Sequence, residues 1–79
     1  MEIKCIVAGI NASGEHDVFP VIVTCSQDQY EVGQHYTAAE DEAAAHGYEP
    51  RLVFDENDPG FRFFLNSIDW HGVETIVGL

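Results

Sequence analysis

The chain has 79 residues, with 14 Asp or Glu against 3 Lys or Arg, which gives a formal net charge of −11 at pH 7. Three cations cannot neutralise a phosphate backbone and an anionic membrane surface would repel the chain, so we expect no direct binding to nucleic acid or membrane. An apolar fraction of 46% is too high for a disordered acidic tail. The composition therefore predicts a single compact acidic domain over residues 1–79.

The N-terminal segment indicates a cytoplasmic protein. Its sequence, MEIKCIVAGIN, begins like a strand and has no basic region followed by a cleavage site. No apolar run approaches the roughly 18 residues of a transmembrane helix. Cys5 and Cys25 are therefore expected to be reduced and buried, and not joined in a disulfide.

A hairpin of two strands is predicted first along the chain. Residues 2–10 are rich in Ile, Val and Cys, which is typical of a strand buried on both faces. Residues 11–14, N-A-S-G, favour a turn, and residues 18–24 form the second strand. Pro20 has no backbone N–H, so that part of the second strand is expected at an edge or a bulge.

Helix follows the hairpin. Two capping boxes, Ser26 with Gln29 and Thr37 with Glu40, mark helix starts. Gly33 between them either ends a short first turn or kinks one longer helix. The apolar face expected to pack on the sheet consists of Val32, Tyr36, Ala39 and Ala43, and Gly47 is the expected C-cap.

The rest of the chain is predicted as a strand over residues 51–54, a segment over 61–68, and a last strand over 73–77. Asp58 followed by Pro59 resembles a helix start, and the apolar positions 61, 64, 65 and 68 favour a helix. Positions 61, 63 and 65 also fit strand alternation, so both alternatives stay open. With the helix, the order β-β-α-β-α-β predicts an α+β fold in two layers, with helices packed on one small, mostly antiparallel sheet.

No metal site, cofactor or catalytic residue is predicted. The four His and two Cys stand at no established ligand spacing, and His46 is interpreted as an imidazole at a helix C-terminus. Residues 55–60 resemble the start of an EF-hand loop, but Pro59 and Asn66 cannot supply its fifth and twelfth ligands. Cys25, at a strand end ahead of a helix, is a candidate nucleophile, and the alternative function is a small thiol-dependent enzyme or redox module.

Seven carboxylates within residues 40–58 form the strongest candidate site, which we call the acidic patch. Such a patch either solubilises the protein or attracts a basic groove on another protein. Tyr30 and Tyr48 would add aromatic anchors, whereas Tyr36 is expected to pack the helix on the sheet. The predicted partner-binding residues are Glu40, Asp41, Glu42, Glu49, Asp55, Glu56, Asp58, Tyr30 and Tyr48.

Residues 22–58 resemble a group of known proteins. The pattern C-S-x-x-Q-Y-x-x-G-x-H-Y-x-x-A over residues 25–39, with G-Y-E-P over 47–50 and F-D-E over 54–56, resembles small acidic orphan proteins of bacteriophages and other mobile elements. The resemblance implies an inhibitor that binds a host protein, of the anti-CRISPR, anti-restriction or nucleic-acid-mimic kind, and it assigns no site residue. We therefore expect a non-enzymatic protein that engages a basic surface of a larger, nucleic-acid-handling host protein. A structural homodimer without chemistry is a further alternative.

Overall fold

A four-stranded sheet organises the fold. The computed structural model describes residues 1–77, and its strands are β1 (Glu2–Ile10), β2 (His16–Thr24), β3 (Glu49–Asp55) and β4 (Thr75–Val77). The spatial order is β3-β1-β2-β4. β1 is antiparallel to both of its neighbours, whereas β4 runs parallel to β2. The predicted α+β class and mostly antiparallel sheet are confirmed.

The N-terminal hairpin is confirmed, and β1 is its buried member. Cys5 and Val7 point to one face of the sheet and Ile6 to the other, and all three are fully buried. The side chain of Asn11 accepts hydrogen bonds from the backbone N–H groups of Ser13 and Glu15 at 2.9 and 3.0 Å, which closes the turn.

Pro20 lies where β2 has an open edge. The N–H of Ile22 donates to the carbonyl of Glu74 at 3.0 Å, so alternate N–H groups of β2 point towards β4. β4 pairs only with residues 22–24 and does not extend to Pro20. The missing donor of Pro20 therefore costs no hydrogen bond in the sheet, as the edge prediction requires.

Two helices follow β2: α1 (Gln27–Glu31) and α2 (Gln34–Ala45). The capping box at Ser26 is confirmed, because the N–H of Gln29 donates to Ser26 Oγ at 3.2 Å and the N–H of Ser26 donates to Gln29 Oε1 at 2.8 Å. Gly33 separates the helices with a φ of 79°, so it ends the first one. The capping box predicted at Thr37 is wrong, because α2 already begins at Gln34.

The buried face of α2 consists of His35, Ala39 and Ala43. Including Val32 in this face was wrong: Val32 is 71% exposed, because it precedes the change of chain direction at Gly33. Gly47 ends α2 as expected, with a φ of 87°. No helix within residues 1–77 combines the length and the apolar composition of a membrane span.

α2 covers one face of the sheet. Alternate residues of the central strands, among them Cys5, Val7, Val21 and Val23, form the main core with Ala39 and Ala43. The small side chains of the two Ala residues let α2 lie close to the strands. Asp55 is the register partner of Cys5, so it also faces α2.

The opposite face of the sheet is covered by residues 59–72, which we call the 3₁₀ segment. It consists of three 3₁₀ turns, Pro59–Phe63, Leu65–Ser67 and Trp70–Gly72. Phe64 lies over Phe54 of β3 with ring centroids 6.0 Å apart, and Phe61 stacks on Trp70 at 5.7 Å.

The α-helix and the strand predicted over residues 61–68 are both wrong. The N–H groups of Phe61, Phe64 and Ser67 each donate to the carbonyl three residues earlier. A period of three residues places Phe61 and Phe64 on the same side, towards the sheet, while Phe63 between them is 86% exposed. The last strand is also shorter than predicted, since residues 73 and 74 precede β4.

The close approach of β1 and β3 predicts a large effect of Gly9→Ala. A Cβ at this position would overlap the carbonyl oxygen of Glu49 and lie 3.2 Å from Pro50 Cα. Because both neighbours are backbone atoms, we expect a loss of about 1–3 kcal/mol in the free energy of unfolding, measured by urea denaturation. Gly72→Ala is the matched control, since nothing lies within 4 Å of its added Cβ. Equal stability of the two variants would contradict the register in which Gly9 of β1 lies opposite Pro50 of β3.

Candidate functional site

The acidic patch is mostly at the surface. Glu40, Asp41, Glu49 and Glu56 are exposed, and Glu42 and Asp58 are partly exposed. Asp55 differs from the other six, because it is only 3% exposed. The prediction that its carboxylate belongs to an exposed binding surface is therefore wrong, since β3 register turns it towards α2.

The two helices carry acidic side chains and no Lys or Arg. Residues 5–50 contain no Lys or Arg, whereas α1 and α2 together contain five acidic residues: Asp28, Glu31, Glu40, Asp41 and Glu42. Within residues 1–77, the one ion pair from Lys or Arg joins Arg51 Nη2 to Glu49 Oε1 at 3.3 Å. The carboxylates of both helices thus have no Lys or Arg partner in the part of the chain described.

The cations lie away from the two helices. Lys4 alternates with Cys5 along β1 and therefore faces the 3₁₀ segment, where its Nζ lies 5.4 Å from the centre of the Trp70 ring. Arg62 belongs to the 3₁₀ segment itself. Lys4 and Arg62 thus lie on the face opposite the helices, which also carries acidic side chains, among them Asp69 of the 3₁₀ segment.

The two proposed aromatic anchors are partly buried. The Tyr48 ring packs on Phe19, with centroids 5.3 Å apart, and its hydroxyl donates to Asp17 Oδ2 at 3.2 Å. The Tyr30 ring stacks on the imidazole of His35 at 4.8 Å, and its hydroxyl accepts from Asn57 Nδ2 at 2.7 Å. Both side chains pack against the core, and only their remaining edges face solvent.

A buried polar cluster, which the sequence analysis missed, lies beneath the patch. We call His35, Tyr36, Asp55 and Asp58 the His35–Asp55 cluster. His35 Nε2 lies 2.8 Å from Asp55 Oδ2, and the two residues are 1% and 3% exposed. Because an ionised carboxylate can only accept, Nε2 carries the proton. The bond joins the start of α2 to the end of β3.

The turn after β3 completes the cluster. Asp55 Oδ1 accepts from the N–H of Asn57 at 2.8 Å. Asp58 Oδ2 accepts from the N–H of Asp55 at 2.8 Å and from the Tyr36 hydroxyl at 2.6 Å. Asp58 precedes Pro59 at the start of the 3₁₀ segment, as predicted, but its carboxylate binds Tyr36 and Asp55 and does not cap the turn.

The cluster changes the acidity of two of its members. Burial by itself raises the pKa of Asp55, but hydrogen bonds from His35, Asn57 and Tyr36 outweigh it and lower that pKa below its usual value. The pKa of Tyr36 is raised, first by burial and then by its hydrogen bonds to Asp58 and Asp55. Asp55 is therefore an ionised carboxylate in the folded protein at neutral pH, and Tyr36 a neutral donor.

Both cysteines are buried and unpaired, as predicted. Burial raises the pKa of the Cys5 thiol to about 12, with a further contribution from the charge of Asp55. Cys25 is 5% exposed, and its backbone is held by Met1, whose amino group donates to the Cys25 carbonyl at 2.7 Å. Cys25 is therefore almost entirely shielded from solvent in this structure.

An apolar cavity lies on the sheet face opposite α2. Its volume is about 460 Å³, and its lining includes Ala8, Val18, Leu52 and Phe64. Leu52, one of these lining residues, is 60% exposed. β3 also has no neighbour on its outer edge within residues 1–77.

Comparisons with known proteins give no relative: no family model, no curated protein and no solved structure matches the chain. Its function is therefore argued from the residues and their geometry.

The His35–Asp55 bond predicts a large effect of Asp55→Asn. The amide keeps the shape but removes the charge, and it cannot accept from both His35 and the N–H of Asn57. We expect a loss of about 1.5–3 kcal/mol in the free energy of unfolding, measured by urea denaturation. Asp41→Asn, at an exposed position of α2, is the matched control and should change stability by less than about 0.5 kcal/mol. Equal values for the two variants would contradict the role of the cluster.

The lowered pKa of Asp55 also predicts a pH dependence. The pKa is lower in the folded than in the unfolded chain, so the ionised carboxylate stabilises the fold above the unfolded value of about 3.9. This contribution is lost as the pH falls through the folded value. We therefore expect wild-type stability to fall more steeply below about pH 4 than that of Asp55→Asn, measured by urea denaturation over a pH series. Parallel profiles of stability against pH for the two proteins would show that ionisation of Asp55 does not contribute to this pH dependence.

Proposed function

We propose that this chain is a non-enzymatic acidic binding protein whose helical side engages a basic surface of a larger protein. The observation that supports the proposal is the absence of Lys and Arg from the helical layer. α1 and α2 carry five carboxylates and no Lys or Arg. A surface used only for solubility requires net charge, but it does not require a helical layer without cationic side chains.

The uncompensated carboxylates favour binding through long-range attraction. The described Lys and Arg side chains make no ion pair with Glu40 or Asp41. The electric field of these two carboxylates therefore extends into solvent. Such a field accelerates association with an oppositely charged surface, and salt weakens it over a Debye length of about 8–10 Å. Binding through this face should therefore fall strongly as the ionic strength rises.

The His35–Asp55 cluster supports the proposal by fixing the two parts of the patch relative to each other. Asp58 follows β3, and its 2.6 Å contact with the Tyr36 hydroxyl holds it beside the first turn of α2. Glu40 lies one helical turn beyond Tyr36. A carboxylate that is already held in place, as that of Asp58 is, loses little conformational entropy when it meets a partner.

The chemistry of the patch also suggests which basic surface it engages. The three consecutive carboxylates of residues 40–42 resemble the phosphates of a nucleic acid in charge, so we propose that the partner is a nucleic-acid-handling protein. The protein would then act as an inhibitor of the bacteriophage or mobile-element type, by occupying the phosphate-binding surface of a host protein.

Capture from host lysate at low and high salt tests this proposal. The patch variant is the triple change Glu40→Gln, Asp41→Asn and Glu56→Gln. We expect the wild-type chain to capture a basic protein at low salt and to release it at high salt, and the patch variant to capture at least about tenfold less.

The control variant must have the same net charge as the patch variant. Glu2→Gln, Glu15→Gln and Asp69→Asn remove three exposed carboxylates outside both the patch and the two helices. This triple variant should capture the partner nearly as well as the wild-type chain, and added duplex DNA should compete for the captured protein. Equal losses in the two triple variants would show that only bulk charge matters, and capture that resists salt would contradict the electrostatic account.

The open edge of β3 favours a second candidate, a structural homodimer. Pairing of two β3 strands would extend the sheet and cover Leu52 beside the apolar cavity. Sedimentation at micromolar concentration separates the candidates. A dimer that is abolished by Leu52→Asp would support the homodimer, and a monomer at all concentrations would exclude it.

A further inference from the structure

Three side chains that bind metals meet at the C-terminal end of α2. Glu42 is in its last turn, His46 is its C-cap, and Glu74 lies directly before β4. One ligand atom from each residue lies within 4.8 Å of the other two. The three come from two segments that are distant in the sequence, so the fold itself brings them together.

The imidazole of His46 is oriented by two contacts. Its ring lies 4.9 Å from that of Phe19, and its Nδ1 lies 3.0 Å from the backbone carbonyl of Glu42. The carbonyl can only accept, so Nδ1 carries the proton and Nε2 has a free lone pair. Metal-bound histidines are usually held in this way, with the second ring nitrogen donating to a carbonyl or a carboxylate.

The spacing of the ligand atoms fits a small divalent cation. His46 Nε2 is 3.9 Å from Glu74 Oε2, and the ligand atoms of the three residues all lie within 4.8 Å of one another. Tetrahedral zinc with bonds of about 2.0–2.1 Å separates its ligand atoms by about 3.3 Å. The side chains of His46 and Glu74 are 46% and 59% exposed, so they are free to rotate and bring their ligand atoms to this distance.

No cation of the chain occupies this position. Within residues 1–77, neither Glu42 nor Glu74 forms an ion pair with Lys or Arg. Their contacts are with His46, and the net charge of −11 raises the local concentration of cations. A donor set of one imidazole nitrogen and two carboxylates favours zinc or a similar first-row cation over calcium or magnesium.

We propose that Glu42, His46 and Glu74 bind one zinc-like divalent cation, with water completing the coordination. The ion joins the end of α2 to the entry of β4, where the Glu74 carbonyl already accepts from the N–H of Ile22 at 3.0 Å. It therefore links the three-residue edge strand β4 to the end of α2. This site shares Glu42 with the acidic patch, but its test does not depend on the binding function proposed above. The sequence prediction of no metal site considered His and Cys spacing and an EF-hand loop, but not a Glu and a His four residues apart on a helix.

Titration of the full chain with zinc chloride tests the site, by calorimetry in excess Mg²⁺ so that diffuse cation binding is suppressed. We expect one zinc per chain, with the ring nitrogen signals of His46 shifting in NMR spectra and those of His71 unchanged. His46→Ala and Glu74→Gln should each weaken binding at least about tenfold. Zinc should also slow amide exchange of Ile76 in the wild-type chain but not in Glu74→Gln.

Two variants serve as controls. His71→Ala and Glu15→Gln remove an exposed imidazole and an exposed carboxylate outside the cluster and should leave zinc affinity unchanged. Glu74→Gln keeps side-chain shape at an exposed position, so it separates loss of a ligand from loss of the fold, which circular dichroism checks. Zinc binding of wild-type strength in His46→Ala and Glu74→Gln, or no binding by the wild-type chain in excess Mg²⁺, would overturn the proposal.

Discussion

The buried bond between His35 and Asp55 is the constraint on which the arrangement of this small protein depends. An ionised carboxylate inside a protein requires donors. Asp55 obtains them from the imidazole and from the N–H of Asn57, and it shares the Tyr36 hydroxyl with Asp58. These donors come from α2 and from the turn after β3, so satisfying one charge fixes the helix against the edge of the sheet. A domain of 79 residues has little apolar surface to spare, and a polar connection of this kind supplements its core.

The hydrogen bonds to the Asp55 carboxylate also determine which acidic side chains remain at the surface. One carboxylate of the acidic patch is used internally, and Asp58 is partly engaged by Tyr36. Glu40, Asp41 and Glu42 are displayed on α2, while Lys4 and Arg62 lie with the 3₁₀ segment on the other face. Lys4 and Arg62 therefore lie away from the two helices, although acidic side chains occur on both faces of the sheet. The proposed binding function depends on this arrangement more than on the total charge.

Local patterns predicted those parts of the fold that depend on neighbours in sequence. The strand over residues 2–10, the hairpin turn, the cap at Ser26 and the helix end at Gly47 are all determined by residues a few positions apart, and each was predicted correctly. Residues 61–68 were not predicted correctly, because they form 3₁₀ turns in which Phe61 and Phe64, three residues apart, both face the sheet. An apolar pattern compatible with both helix and strand does not reveal this period of three.

The candidate sites depend on longer-range pairing, which the sequence does not display. His35 and Asp55 meet only because β3 pairs with β1 in one register, and a one-residue shift would turn Asp55 to the other face. The sequence does contain one useful signal for the further site: Glu42 and His46 are four residues apart on a helix. Glu74, however, reaches them only through the parallel pairing of β4 with β2.

The central claim is that the helical side is the binding face, and NMR mapping with a short lysine-rich peptide tests it most directly. The peptide substitutes for an unidentified basic partner, and amide shifts report where it binds. The account predicts salt-sensitive shifts concentrated in residues 26–45 and 55–58, with small shifts in β1 and in the 3₁₀ segment. Shifts spread evenly over the molecule, or largest at the apolar cavity, would contradict it.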